Sequence, residues 1–133
     1  MDEMTHFTVP GNPAPQGSKR HIGNGRMIES SRAVGPRRER IALVAHNAML
    51  GHPLLQAAVA VNLHFVMPRP KSAPKTTPEA VKRPDIDKLV RACLDAFTGT
   101  CFVDDSQVTE LHATKRIAEP GEPTGVHVQI EAT

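Results

Sequence analysis

Six apolar residues in the second half of the chain, Ile86, Leu89, Val90, Cys93, Leu94 and Phe97, fall at offsets 0, 3, 4, 7, 8 and 11. That spacing puts them on one face of an α-helix. Pro84 and Asp85 stand ahead of them, Asp85 in position for an N-cap, and Gly99 closes the far end. An earlier helix is predicted from near Pro36 to Leu50, where Ile41, Val44, Ala45, Ala48 and Met49 recur at helical spacing before Gly51. Elsewhere the period is two. Val59, Val61, Leu63 and Phe65 alternate strictly, predicting a strand with one face in a core, and Phe7 and Val9 mark a shorter strand ended by Pro10-Gly11. Val108 to Ile117 reads as extended. Val126, Val128 and Ile130 alternate after the turn-rich Glu119-Pro120-Gly121-Glu122-Pro123, so the last two strands are predicted to form a hairpin with a long tip.

The order β-α-β-α-β-β predicts an α/β chain of the α+β type, a small mixed sheet with two main helices packed against it. Two stretches interrupt it. Gly11 to Met27 carries Pro13, Pro15, Gly17, Gly23 and Gly25 and reads as a loop charged by Lys19, Arg20 and Arg26. Met67 to Arg83 is a second proline-rich loop, with Arg69, Lys71, Lys75, Lys82 and Arg83. No internal repeat or dividing linker is visible, and 133 residues suit one domain, 1–133, able to bury its own core.

The net charge of +2 conceals a strong asymmetry. From Lys19 to Arg83 there are twelve Lys/Arg and three acids, whereas from Asp85 to Asp105 five Asp face only Lys88 and Arg91. A positive first half is the footprint of a surface for a polyanion, although an ordinary solvated surface carries similar charge runs. Cys93 and Cys101 lie in apolar surroundings without CxxC or Cys/His spacing, which argues against zinc and for two buried reduced thiols in a cytoplasmic setting. The longest apolar run, near Ala57 to Val61, is too short to span a bilayer, and no signal peptide opens the chain. Tyr and Trp are absent, so an aromatic platform for single strands has little support.

The five Asp are the candidate chemistry. Clustered carboxylates repel one another, and a divalent cation relieves the repulsion. Asp87, Arg91 and Asp95 share a stripe opposite the apolar face of the predicted helix, and Asp85 sits at its mouth. Asp104-Asp105 closes a short apolar run, and because extended side chains alternate, one of this pair is expected to join Asp85 and Asp87 while the other stands outside. Three convergent carboxylates suit magnesium, with Lys88 or Arg91 beside them to stabilise charge on a reacting phosphate. The plainer alternative makes Asp85 an N-cap, Asp87 the i, i+4 partner of Arg91, and Asp104-Asp105 a turn. The seven histidines show no HxxxH or HxH spacing and read as surface or core residues. Ser30-Ser31 reads as polar loop and Gly23-Asn24-Gly25 as a turn rather than a phosphate cradle.

These segments resemble the RusA family of Holliday-junction resolvases. The resemblance is carried by Lys82-Arg83-Pro84-Asp85-Ile86-Asp87-Lys88-Leu89 through Leu94-Asp95-Ala96-Phe97, then by Phe102-Val103-Asp104-Asp105-Ser106-Gln107-Val108 and Lys115. The opening Val9-Pro10-Gly11-Asn12-Pro13-Ala14-Pro15-Gln16-Gly17-Ser18-Lys19-Arg20 is similar to the family's Gly/Pro-rich basic start. It implies a homodimeric, magnesium-dependent endonuclease, with manganese an alternative metal, that nicks four-way DNA junctions symmetrically in recombination and repair. By position it implies Asp85, Asp87 and Asp105 as metal ligands and Asp104 as a supporting carboxylate. The family's catalytic lysine aligns with Arg91, and its usual asparagine with Lys88. Arg91 keeps the charge but holds its proton, so Lys88, three residues away, is the candidate for any proton transfer. The basic loops would track phosphates, through Lys19, Arg20, Arg26, Arg69, Lys71, Lys75, Lys82 and Arg83. Rival readings are a non-catalytic junction-binding protein and a metal-dependent nucleotide phosphohydrolase. The expected host is a bacterium or a phage.

Overall fold

A computed structural model describes residues 4–14, 19–22, 26–29, 34–72 and 76–133. The main sheet has four strands in the order β1-β6-β4-β5: β1 Met4–Pro10, β4 Val59–Met67, β5 Val108–Ile117 and β6 Gly125–Ala132. Two helices, α1 Val34–Ala48 and α2 Ile86–Phe97, pack against each other, α1 also meeting β1 and α2 meeting β5. The architecture is the mixed α+β arrangement that the periodicity predicts.

Two details differ from the sequence reading. Lys19–Ile22 (β2) and Arg26–Glu29 (β3) pair antiparallel, Lys19 opposite Glu29, where a loop was expected. The glycines that suggested irregular chain at positions 23 and 25 fall between these strands and outside the described residues. The last two strands also do not form a hairpin. β4 lies between them, parallel to β5 and antiparallel to β6. The physical reason lies in β4, most of whose residues are buried, including Ala60 and Val66 on the face away from the helices. A strand so apolar is stable only with neighbours on both edges, and β5 reaches it across the α2 connection that a parallel pair requires.

The core lies between the helices and one sheet face. Val59, Val61, Leu63, Phe65, Val126, Val128 and Ile130 meet Ile41, Ala45, Leu89, Cys93 and Phe97 there. Phe97 sets its ring edge-on to Phe7 and to Phe102, with centroids 5.9 and 6.4 Å away. Such aromatic pairs add to the area they bury. Gly125 is held by close backbone approach, since a Cβ there would lie 2.6 Å from the Val9 carbonyl oxygen across the β1–β6 pair. Cys93 and Cys101 are buried free thiols, as expected, and desolvation pushes each up to about 12. No helix among the described residues is long and apolar enough to cross a membrane.

Candidate metal and nucleic-acid site

Helix α2 buries Leu89, Val90, Ala92, Cys93, Ala96 and Phe97 and turns Asp87, Lys88, Arg91 and Asp95 to solvent. Its polar stripe is therefore the one the sequence predicts. Asp85 is extended (φ −71°, ψ 141°) and occupies the N-cap position, but its side chain accepts no capping hydrogen bond. Its backbone carbonyl instead takes the amides of Lys88 and Leu89, each at 3.2 Å. The helix start is thus secured by the main chain, and the Asp85 carboxylate is left for another partner. No ion pair joins Asp87 to Arg91 among the described residues, so the i, i+4 bridge of the plainer alternative does not form.

The second acidic pair divides its work. Asp104 caps the short 3-10 turn Asp105–Gln107: its Oδ2 accepts the Ser106 amide at 2.9 Å, and Gln107 Oε1 accepts the Asp104 amide at 2.8 Å. The hydrogen bonds from Ser106 favour the charged form and hold the Asp104 carboxyl below the usual carboxylate range. Asp105 is exposed and carries no such duty. The capping box explains why Asp104 and not its neighbour is the acid committed to structure.

The two acidic groups lie at opposite ends of α2. Gln107 Nε2 donates to the carbonyls of Leu55 (2.9 Å) and Ala57 (2.8 Å), which anchors Asp104-Asp105 beside the start of β4 and the end of α2, where Phe102 bonds Phe97. The start of α2 lies near the other end of β5, because Lys115 Nζ reaches the Pro84 carbonyl at 2.8 Å. A twelve-residue helix is about 18 Å long at 1.5 Å per residue. Accordingly, no three His, Cys, Asp or Glu side chains of the described residues come together closely enough to hold a metal ion. One protomer does not make the gathering of acids that the sequence led us to expect.

Among the predicted phosphate contacts, Lys71, Lys82 and Arg83 are exposed on the loop ahead of α2. Arg69 braces that loop, donating from Nη1 to Thr77 Oγ1 at 2.8 Å and to the Ala118 carbonyl at 3.3 Å. Thr77 in turn donates to Glu119 at 2.7 Å. Lys19, Arg20 and Arg26 lie on β2 and β3, and Lys75 lies outside the described residues.

Two arrangements escaped the sequence reading. Lys115 points to the helix side of the sheet, at a register position opposite buried Phe65, and bonds the carbonyls of Lys82 (3.0 Å) and Pro84 (2.8 Å). Its signal was available: it interrupts the period-two series Leu111, Ala113, Ile117. On the helix-free face, His6, His64, His112 and His127 line an open hollow of about 460 Å³ with Asn62 and Gln129. His127 meets Thr8 Oγ1 at 2.9 Å, and His64 meets Thr114 Oγ1. Each histidine stands on a different strand, so no local spacing could reveal the group.

The fold is a small mixed sheet packed by two helices, with acids near both ends of α2 and exposed cations on the loop ahead of it. The family described as endodeoxyribonuclease RusA matches residues 10–131, nearly the whole chain, and the chain belongs to that family. It is also 29% identical over 125 residues to an uncharacterized protein, YqaN, of Bacillus subtilis (strain 168), a match covering 85% of this chain and 87% of that one.

Proposed function

We propose that residues 1–133 form one endonuclease domain that resolves four-way DNA junctions by paired, metal-dependent hydrolysis of phosphodiesters. The observation that supports it most is the exposed, uncapping carboxylate of Asp85 beside Asp87, at the end of the basic loop that carries Lys82 and Arg83, in a chain of this family. The donors are hard carboxylate oxygens, which suit magnesium and accept manganese. Asp85, Asp87 and Asp105 would hold the ion, with Asp104 in support. When held there, such an ion would polarise the phosphate and lower the pKa of a water.

The chain supplies the remaining work. Arg91 stands one turn beyond Asp87 on the exposed stripe, stays charged through the reaction and offsets the negative charge that grows on the phosphate. Lys88 is the neighbouring group able to give up a proton to the leaving oxygen. The exposed loop cations hold the backbone of the DNA, and with few aromatics the chain reads junction shape more than base edges.

Because Asp85 and Asp87 stand at the start of α2 and Asp105 lies beyond its end, the ligand set would be completed between two copies, the Asp105 end of one protomer facing the Asp85 end of the other. A two-fold dimer of this kind holds two identical sites, matching the two opposed strands of a junction. The setting is the cytoplasm of a bacterium or of a phage-infected cell, where reduced thiols such as Cys93 and Cys101 persist.

Incubation with a labelled mobile junction and with linear duplex, with and without magnesium, tests the proposal. Paired nicks confined to the junction, dependent on metal and lost in Asp87→Asn, are expected. Tight binding without nicking would instead identify a junction-binding protein, turnover of free nucleotides a phosphohydrolase, and equal cutting of linear duplex would remove the selectivity.

A further inference from the structure

Lys115 is a cation placed where the sheet calls for an apolar side chain. Its register partner Phe65 is buried, and its neighbours on the same face of β5 are Ala113 and Ile117. A lysine in such a place must satisfy its ammonium, and this one does so on two main-chain carbonyls, those of Lys82 and Pro84. Both belong to the segment that delivers the chain into α2. Among the described residues no backbone–backbone hydrogen bond fastens residues 80–84, and the Pro84 carbonyl belongs to the peptide that carries the Asp85 nitrogen. Asp85 itself has no side-chain hydrogen bond to hold it at the helix start.

We propose that Lys115 is a positioning residue for Asp85: by clamping the Lys82 and Pro84 carbonyls it fixes the backbone from which the Asp85 carboxylate projects. This rests on the reading of Asp85 as a metal ligand. The physical basis is preorganisation. A carboxylate on a loosely held hinge must be ordered when the ion binds, whereas one on a clamped hinge is ordered beforehand. The lysine is suited to the task because its three donors can serve two carbonyls at once. It acts through main chain and needs no contact with DNA or metal.

The test compares the parent chain, Lys115→Met and Lys115→Arg. Calorimetric titration with Mn2+ in the absence of DNA is expected to show binding weakened about 10- to 100-fold in Lys115→Met, the range for loss of a group that supports a ligand. Lys115→Arg, which keeps the charge and the donors, recovers part of the loss. Hydrogen exchange at the amides of Lys88 and Leu89, which bond the Asp85 carbonyl, quickens in Lys115→Met, while junction binding without metal and its salt dependence stay at the parent level. Unchanged Mn2+ affinity in a folded Lys115→Met, or a drop in metal-free junction affinity with Mn2+ affinity intact, would overturn the proposal. The latter would make Lys115 a phosphate contact. If Lys115→Met fails to fold, Lys115→Arg becomes the deciding variant, and its Mn2+ affinity must fall between that of the parent and that of Asp85→Asn. A parent that binds Mn2+ no better than Asp85→Asn defeats the metal-site reading itself, whereas parental binding matched by Lys115→Met defeats only the clamp.

Discussion

The Asp104 carboxylate accepts the Ser106 amide at 2.9 Å, so the two adjacent acids Asp104 and Asp105 have separate duties. Asp104 builds the turn and Asp105 is displayed by it. Asp105→Asn is therefore expected to cut metal-dependent nicking by at least about 100-fold, the scale of losing one transition-state contact, with an unchanged melting temperature. Asp104→Asn can still cap and should keep the melting temperature, with a smaller loss of nicking than Asp105→Asn, whereas Asp104→Ala loses the cap and melts at a lower temperature. Nicking rates and thermal melts of the three variants decide the matter.

The division of the acids between the ends of α2 makes a sharper expectation. Asp87→Asn and Asp105→Asn are each expected to be inactive, but after subunit exchange a mixed dimer would place both lesions in one site and leave the other intact. Nicking should return to about a quarter of the parental value, from half the dimers with one good site each. Sites complete within single protomers would leave every mixed dimer inactive, and no recovery on mixing would refute the shared site.

Arg91 and Lys88 occupy the same exposed stripe, and single variants separate their contributions. Arg91→Ala is expected to lower the rate about 100-fold at all pH values, because an arginine stabilises charge without titrating. Lys88→Ala should lower the rate too, and Lys88→Arg, which keeps the charge but holds its proton, should not restore it. A parental rate in Arg91→Ala would transfer the whole cationic role to Lys88.

Phe97 anchors the helix to the sheet with no exposed surface, edge-on to Phe7 and Phe102. Phe97→Ala should cost about 3–5 kcal/mol in urea unfolding, combining lost burial with a cavity. Because α2 carries Asp87 and begins at Asp85, activity should fall with the folded fraction.

Arg116 and Glu122 form a bidentate pair at 2.7 and 2.6 Å. The hydrogen bonds from Arg116, then the Glu119 amide, lower Glu122 from 4.5 to about 2. Since the folded value lies below the unfolded one, the stabilisation is complete above pH 4.5 and disappears as pH falls through about 2. The melting-temperature difference between the parent and Glu122→Gln should be flat from pH 7 to 5 and vanish near pH 2. Both groups are solvent-accessible, so added salt should shrink it.

Local periodicity was enough to determine the helix at 86–97, the strand at 59–67, the polar stripe of Asp87 and Arg91, and the burial of both cysteines. Each follows from residues within a turn or two of one another, where spacing dictates which face a side chain occupies. Tertiary structure decided what depends on residues far apart in the chain. It set β4 between β5 and β6, brought Lys115 onto the Pro84 carbonyl, gathered four histidines from four strands on one face, and assigned Asp104 to a cap. It also set Asp85 at the start of α2 and anchored Asp104-Asp105 beside its end. Their spacing in sequence was plain, but a helix and a returning turn convert sequence separation into distance, and no local pattern carries the sign of that conversion.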